Sequence, residues 1–160
     1  MIRRTLLALT LLSLGGLSTG AMAGGPTPQL YVFGAEQCSY CQKALIFLHG
    51  IQSKDGSRFQ LHDYDIVRSS EEATLFARVV TSIGLSSPVV PMIVIGREVI
   101  LGYESDETTG REIARHIEAC QTRECPDLVG RMIELPGTAD IVGAGAWTTH
   151  SRWKEAALHP

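Results

Sequence analysis

Cys38 and Cys41 stand where the chain changes period. Before them, Leu30-Tyr31-Val32-Phe33 is a short apolar run suited to a strand; after them, residues 42–48 have helical spacing. A strand that feeds a helix through a two-cysteine turn puts the first sulfur at the helix N-terminus. Unpaired backbone N–H groups and the helix dipole favour a thiolate over a thiol there. Cys41 lies one turn further on, within reach of Cys38 for a disulfide. The arrangement implies thiol–disulfide exchange, with Cys38 as nucleophile and Cys41 as the resolving thiol that breaks a mixed disulfide.

The N-terminus indicates where such chemistry would run. Arg3 and Arg4, a mostly apolar stretch over 6–17 and Ala21-Met22-Ala23 form the three-part pattern of a secretory signal peptide over residues 1–23. An uncleaved anchor is the alternative, but the stretch is short for a span and is interrupted by Gly15 and Gly16. Cleavage after Ala23 removes two positive charges and takes the formal charge from −3 to −5. A mildly acidic chain without a basic patch is not expected to bind nucleic acid. An even set of four cysteines suits an exported protein in the periplasm or another extracytoplasmic space.

The remaining elements follow from pattern. A polar turn at 54–58 leads to a second strand over 59–66, and Ser70-Glu71-Glu72 opens a helix that Gly84 stops. Two β-rich runs, 91–95 and 98–101, flank Gly96-Arg97 as a hairpin. Ser105 or Asp106 caps a last helix in which Ile113, Ile117 and Cys120 share a face. Gly50 is expected to end the first helix, which makes His49 a partner for its dipole. The predicted order is β-α-β-α-β-β-α. Residues 24–125 form one domain, and 126–160 are an extension of unassigned structure in which 152–158 suit a short helix.

Cys120 and Cys125 are expected to form a structural disulfide closing a short loop, contributing about 2–3 kcal/mol in the chain-entropy model. The sharper alternative is a second redox pair relaying electrons to Cys38 and Cys41. A zinc half-site is another use of Cys38 and Cys41, but it needs two more ligands, and the later cysteine pair fits such spacing loosely. The five histidines show no paired ligand spacing, so no metal residue is assigned. Tyr31, Phe33, Phe47 and Phe76 read as core aromatics, and Trp147 and Trp153 as anchors for the tail.

The element order, the Cys-x-x-Cys after strand one and Val90-Pro91 before strand three resemble the thioredoxin superfamily. The compact spacing over about residues 30–120 is most similar to a glutaredoxin-type domain. The resemblance implies a thioredoxin-like α/β fold with a mixed four-stranded sheet flanked by helices. It also implies a cis Pro91 facing the dithiol, with Val90 offering backbone hydrogen bonds to an extended substrate. Ser39-Tyr40 is similar to the family's Pro-Tyr pair and makes Tyr40 a substrate contact.

The family's grip on glutathione is only partly present. Glu36-Gln37 replaces a basic residue before the first cysteine, and Gly102-Tyr103-Glu104-Ser105-Asp106 keeps part of the carboxylate-binding turn. No cofactor beyond the redox-active disulfide is expected, and protein disulfides suit the site better than glutathione. No insertion large enough for a substrate-binding lid precedes Val90. The expectation is therefore a reductase or electron-transfer protein, acting on disulfide-bearing proteins and fed by a membrane-embedded donor. Two alternatives are a glutathione-dependent reductase and a thiolate module for metal or an iron–sulfur cluster.

Overall fold

Alternation along the first strand divides the molecule into two cores. The computed structural model describes residues 27–55, 58–136 and 144–151; the leader expected at 1–23 and the helix expected at 152–158 lie outside them. In β1 (Gln29–Gly34), Leu30 and Val32 face one side of the sheet, and Tyr31 and Phe33 face the other. Successive side chains of a strand point to opposite faces, so a strand buried on both sides is apolar throughout.

The first face is covered by α1 (Ser39–Asp55) and α3 (Arg111–Thr122). Ala44 and Leu48 of the former meet Ile113 and Ile117 of the latter over Leu30, Val32, Ile93, Ile95 and Ile100. The second face is covered by α2 (Ser70–Ile83) and α4 (Leu128–Glu134). Leu75, Val79 and Ile83 pack there with Leu128, Val129 and Met132 against Tyr31, Phe33, Met92 and Val94. Each such fully buried side chain contributes about 1.5–3 kcal/mol.

The sheet is mixed and has five strands, in the order β2-β1-β3-β4-β5. β2 (Gln60–Asp65) runs parallel to β1, as a crossover through α1 requires. β3 (Met92–Ile95) is antiparallel to β1 and forms a hairpin with β4 (Glu98–Leu101). The sequence pattern predicts four strands. The fifth, β5 (Thr148–Ser151), comes from the tail and pairs parallel with β4. Its sequence, Thr-Thr-His-Ser, has no apolar alternation; the free edge of β4 provides its ladder.

Other boundaries differ in instructive ways. α1 runs through Gly50 to Asp55, because Ile51 continues the buried stripe begun by Ala44 and Leu48. That packing outweighs the roughly 1 kcal/mol cost of a helical glycine. His49 therefore sits exposed within the helix rather than at its end. The cap of α2 is Ser69, one residue earlier than expected, with its hydroxyl accepting from the Glu72 N–H at 3.2 Å. A single π turn, Asp106–Gly110, precedes α3. No helix among the described residues is long and apolar enough to cross a membrane.

Candidate functional site

Cys38 and Cys41 form a disulfide with Cα atoms 5.2 Å apart. Cys38 immediately precedes α1, and its carbonyl accepts the first helical bond, from the Gln42 N–H at 3.1 Å. It thus occupies the N-cap position, where side-chain acceptors satisfy orphan N–H groups. Its sulfur does this: the Cys41 N–H donates to Cys38 Sγ at 3.1 Å. The two sulfurs differ in access. Cys38 is partly exposed, whereas Cys41 is 2% exposed. Of the two sulfur-bearing residues, Cys38 is therefore the one more open to approach from outside.

Cys41 can be buried because β1 ends in glycine. A Cβ on Gly34 would lie 3.1 Å from Cys41 Cβ and 3.2 Å from its Sγ, closer than side chains normally pack. The antiparallel register pairs Phe33 with Met92, which brings Pro91 to the same end of the sheet as Gly34 and the disulfide. The Val90–Pro91 peptide is cis. Pro91 is buried and its carbonyl accepts from the Gly102 N–H at 2.7 Å, while Val90 is partly exposed. The sheet therefore gathers the cysteine turn and Val90-Pro91, which are about fifty residues apart in sequence, at one end of its strands β1 and β3.

The loops around the disulfide are tied together by Asp65. Its carboxylate accepts the Val67, Arg68 and Glu36 N–H groups at 2.9, 3.1 and 3.2 Å. These bonds, that from Val67 first, hold its carboxyl below the usual carboxylate range. Glu36, a like charge near the cysteine turn, pairs with the Arg68 guanidinium at 3.1 Å on the surface. Tyr40 is 48% exposed, with the Lys43 ammonium 5.5 Å from its ring centre. Lys43 thus caps an aromatic face.

The turn before α3 is internally satisfied. Tyr103 donates its hydroxyl to Asp106 Oδ1 at 2.6 Å, and the Ser105 and Thr108 hydroxyls bond each other at 3.1 Å. Burial, reinforced by the Asp106 bond, pushes the Tyr103 phenol well above its ordinary range. Ser105 precedes the π turn without a side-chain cap bond.

Cys120 and Cys125 also form a disulfide, with Cα atoms 4.9 Å apart. It packs on Gly96 of the β3–β4 hairpin, where a Cβ would meet Cys125 Sγ at 2.9 Å. That end of β3 is opposite to the end beside Cys38 and Cys41. The intervening strand is about 10 Å long, which separates the two disulfides too far for direct sulfur-to-sulfur exchange within a chain.

The structure also assembles residues that sequence spacing left apart. β5 brings His150 beside His116 of α3, with ring centres 5.0 Å apart, and beside Glu98 of β4 at 2.7 Å. One signal was present in the sequence: Glu112, His116 and Cys120 follow each other at four-residue intervals, along one line of a helix. Trp147, expected as a tail anchor, is buried against the α2 and α4 face; Trp153 lies outside the described residues.

No family model matches the chain, and no curated protein matches it.

Proposed function

We propose that the protein is an exported thiol–disulfide oxidoreductase with a thioredoxin-like domain, using Cys38 and Cys41 in the reducing or electron-transfer direction. The observation that carries this reading is the asymmetry of the pair: a partly exposed Cys38 sulfur at a helix N-terminus backed by a buried Cys41.

In the reduced protein, Cys38 thiolate attacks one sulfur of a substrate disulfide. A Cys38–substrate bond forms, and the other substrate sulfur leaves as a thiolate and takes a proton. Cys41, deprotonated, then attacks Cys38 Sγ, forming the Cys38–Cys41 disulfide and releasing the second substrate thiol. Two electrons pass to the substrate, and a membrane-embedded dithiol donor returns two to the protein. Val90 and Tyr40 contact the incoming chain, and Pro91 fixes the edge from which Val90 presents its backbone.

Protein disulfides suit this site better than glutathione. Glu36 is engaged with Arg68, and Asp106 and Ser105 are bonded within their own turn. None of these is left as a cationic or open grip for the tripeptide's carboxylates. The test is reduction of a protein disulfide, such as those of insulin, with a chemical dithiol as donor. Turnover by the protein and its loss in Cys38→Ser support the proposal; equal rates for the two would remove it. A matched assay with a glutathionylated peptide separates the glutathione-dependent alternative.

A further inference from the structure

Away from the Cys38–Cys41 turn, Glu98, His116 and His150 each present one ligand atom, and these atoms all lie within 4.8 Å of one another. They come from three elements, β4, α3 and β5, and share a cavity of about 410 Å³ whose wall includes the Cys120–Cys125 disulfide. We propose that Glu98, His116 and His150 bind one divalent cation of the zinc class. This inference does not depend on the proposed redox activity.

The geometry needs little adjustment. Ligand atoms about 2.0–2.1 Å from a tetrahedral zinc are about 3.4 Å from each other. The widest pair here has to close by at most about 1.4 Å, and the closest, His150 Nε2 and Glu98 Oε2 at 2.7 Å, has to open by about 0.7 Å to admit the cation, both of which side-chain rotation supplies. Glu98 and His150 already face the same layer, since the β4–β5 register sets His150 beside Ile100 and Thr148 beside Glu98. All three side chains are partly buried, so they are held by packing yet reachable through the cavity.

The surroundings favour a metal over a plain edge clasp. His150 Nε2 is 2.7 Å from Glu98 Oε2, and its Nδ1 is 3.3 Å from Glu112 Oε1. With a cation on Nε2, Nδ1–H donates to Glu112, the carboxylate–histidine–metal arrangement that orients ligating histidines. Two imidazoles and one carboxylate select zinc-like cations over magnesium or calcium, which prefer oxygen ligands throughout. Three protein ligands leave a fourth position for water or an exogenous ligand.

The experiment uses the full chain with both disulfides oxidised, so that no thiolate competes. Titration with Zn²⁺ by calorimetry and with Co²⁺ by absorbance should give one site per chain and the visible band of four-coordinate cobalt, without a thiolate-to-cobalt charge-transfer band. His116→Gln and His150→Gln should each abolish that band. Glu112→Gln, which removes no ligand, should weaken binding by roughly 10–100-fold. A variant with both Cys38→Ser and Cys41→Ser should bind as the parent does. Circular dichroism checks that each variant is folded, and His116→Asn replaces His116→Gln if the latter is not. Absence of binding at millimolar Co²⁺, a thiolate band, or binding unchanged by His150→Gln would overturn the proposal.

Discussion

The Cys41 N–H donates to Cys38 Sγ at 3.1 Å, so the backbone of the first turn of α1 is aimed at the more exposed sulfur of the pair. Bonds from oriented N–H groups strengthen when the acceptor gains charge. In the reduced protein this donor stabilises a Cys38 thiolate, while Cys41, 2% exposed, stays shielded. After mild reduction, iodoacetamide should alkylate Cys38 well before Cys41, as read by peptide mass spectrometry. Equal rates at the two sulfurs would contradict this.

Gly34 is the packing partner that lets Cys41 be buried. Gly34→Ala sets a Cβ 3.1 Å from Cys41 Cβ, and should lower stability by about 1–3 kcal/mol in denaturant titration. The displaced Cys41 should also become easier to alkylate.

Gly96 has two reasons to be glycine, a φ of +61° and contact with the second disulfide. Gly96→Ala should cost about 1–3 kcal/mol. In a background where Cys120 and Cys125 are both alanine, the steric part disappears and the backbone part remains. A double-mutant cycle should therefore show coupling between the sites.

The Tyr31 hydroxyl donates to Asp127, 3.0 Å from each carboxylate oxygen, and Asp127 also caps α4 by accepting from the Gly130 N–H at 2.7 Å. Asp127→Ala should cost about 2–3 kcal/mol through loss of cap and hydrogen bond, within one cooperative transition. Burial first, then the Asp127 charge, holds the Tyr31 phenol far above its ordinary 10.0, and Tyr103 is raised likewise. The unfolded chain ionises these phenols first. These phenols therefore leave stability unaffected below about pH 10 and lower it above that, by up to about 1.4 kcal/mol per pH unit for each. Thermal unfolding of Tyr31→Phe should show a shallower alkaline fall.

The sequence made the cysteine turn readable because strand period, two cysteines and helix period meet within a dozen residues around Cys38. The same holds for the β3–β4 hairpin around Gly96 and for the helix stop at Gly84. What it hid depends on tertiary partners. Gly50 reads as a stop until Ile51 is seen against the core. β5 is polar and exists as a strand through the edge of β4. α4 is only seven residues long, and its start signal, Asp127 before Leu128 and Val129, is a single cap. The spacing of Glu112 and His116 shows one line of a helix, but the meeting of His116 with His150 follows from β5 and is not displayed by linear spacing.

The direction of electron flow has its own test. The Cys38–Cys41 couple, equilibrated with glutathione while Cys120–Cys125 stays intact, should have a potential near about −270 mV, that of a reductase fed by a donor. A value near about −120 mV would make the protein an oxidant and reverse the proposed flow.

The most direct test of the central claim is capture of a mixed disulfide. Cys41→Ser, incubated with a disulfide-bonded peptide, should accumulate one peptide adduct per chain, mapped by mass spectrometry to Cys38 and released by dithiothreitol. No adduct on Cys38, or an equal yield on Cys41 in Cys38→Ser, would contradict the assignment of Cys38 as the exchanging sulfur.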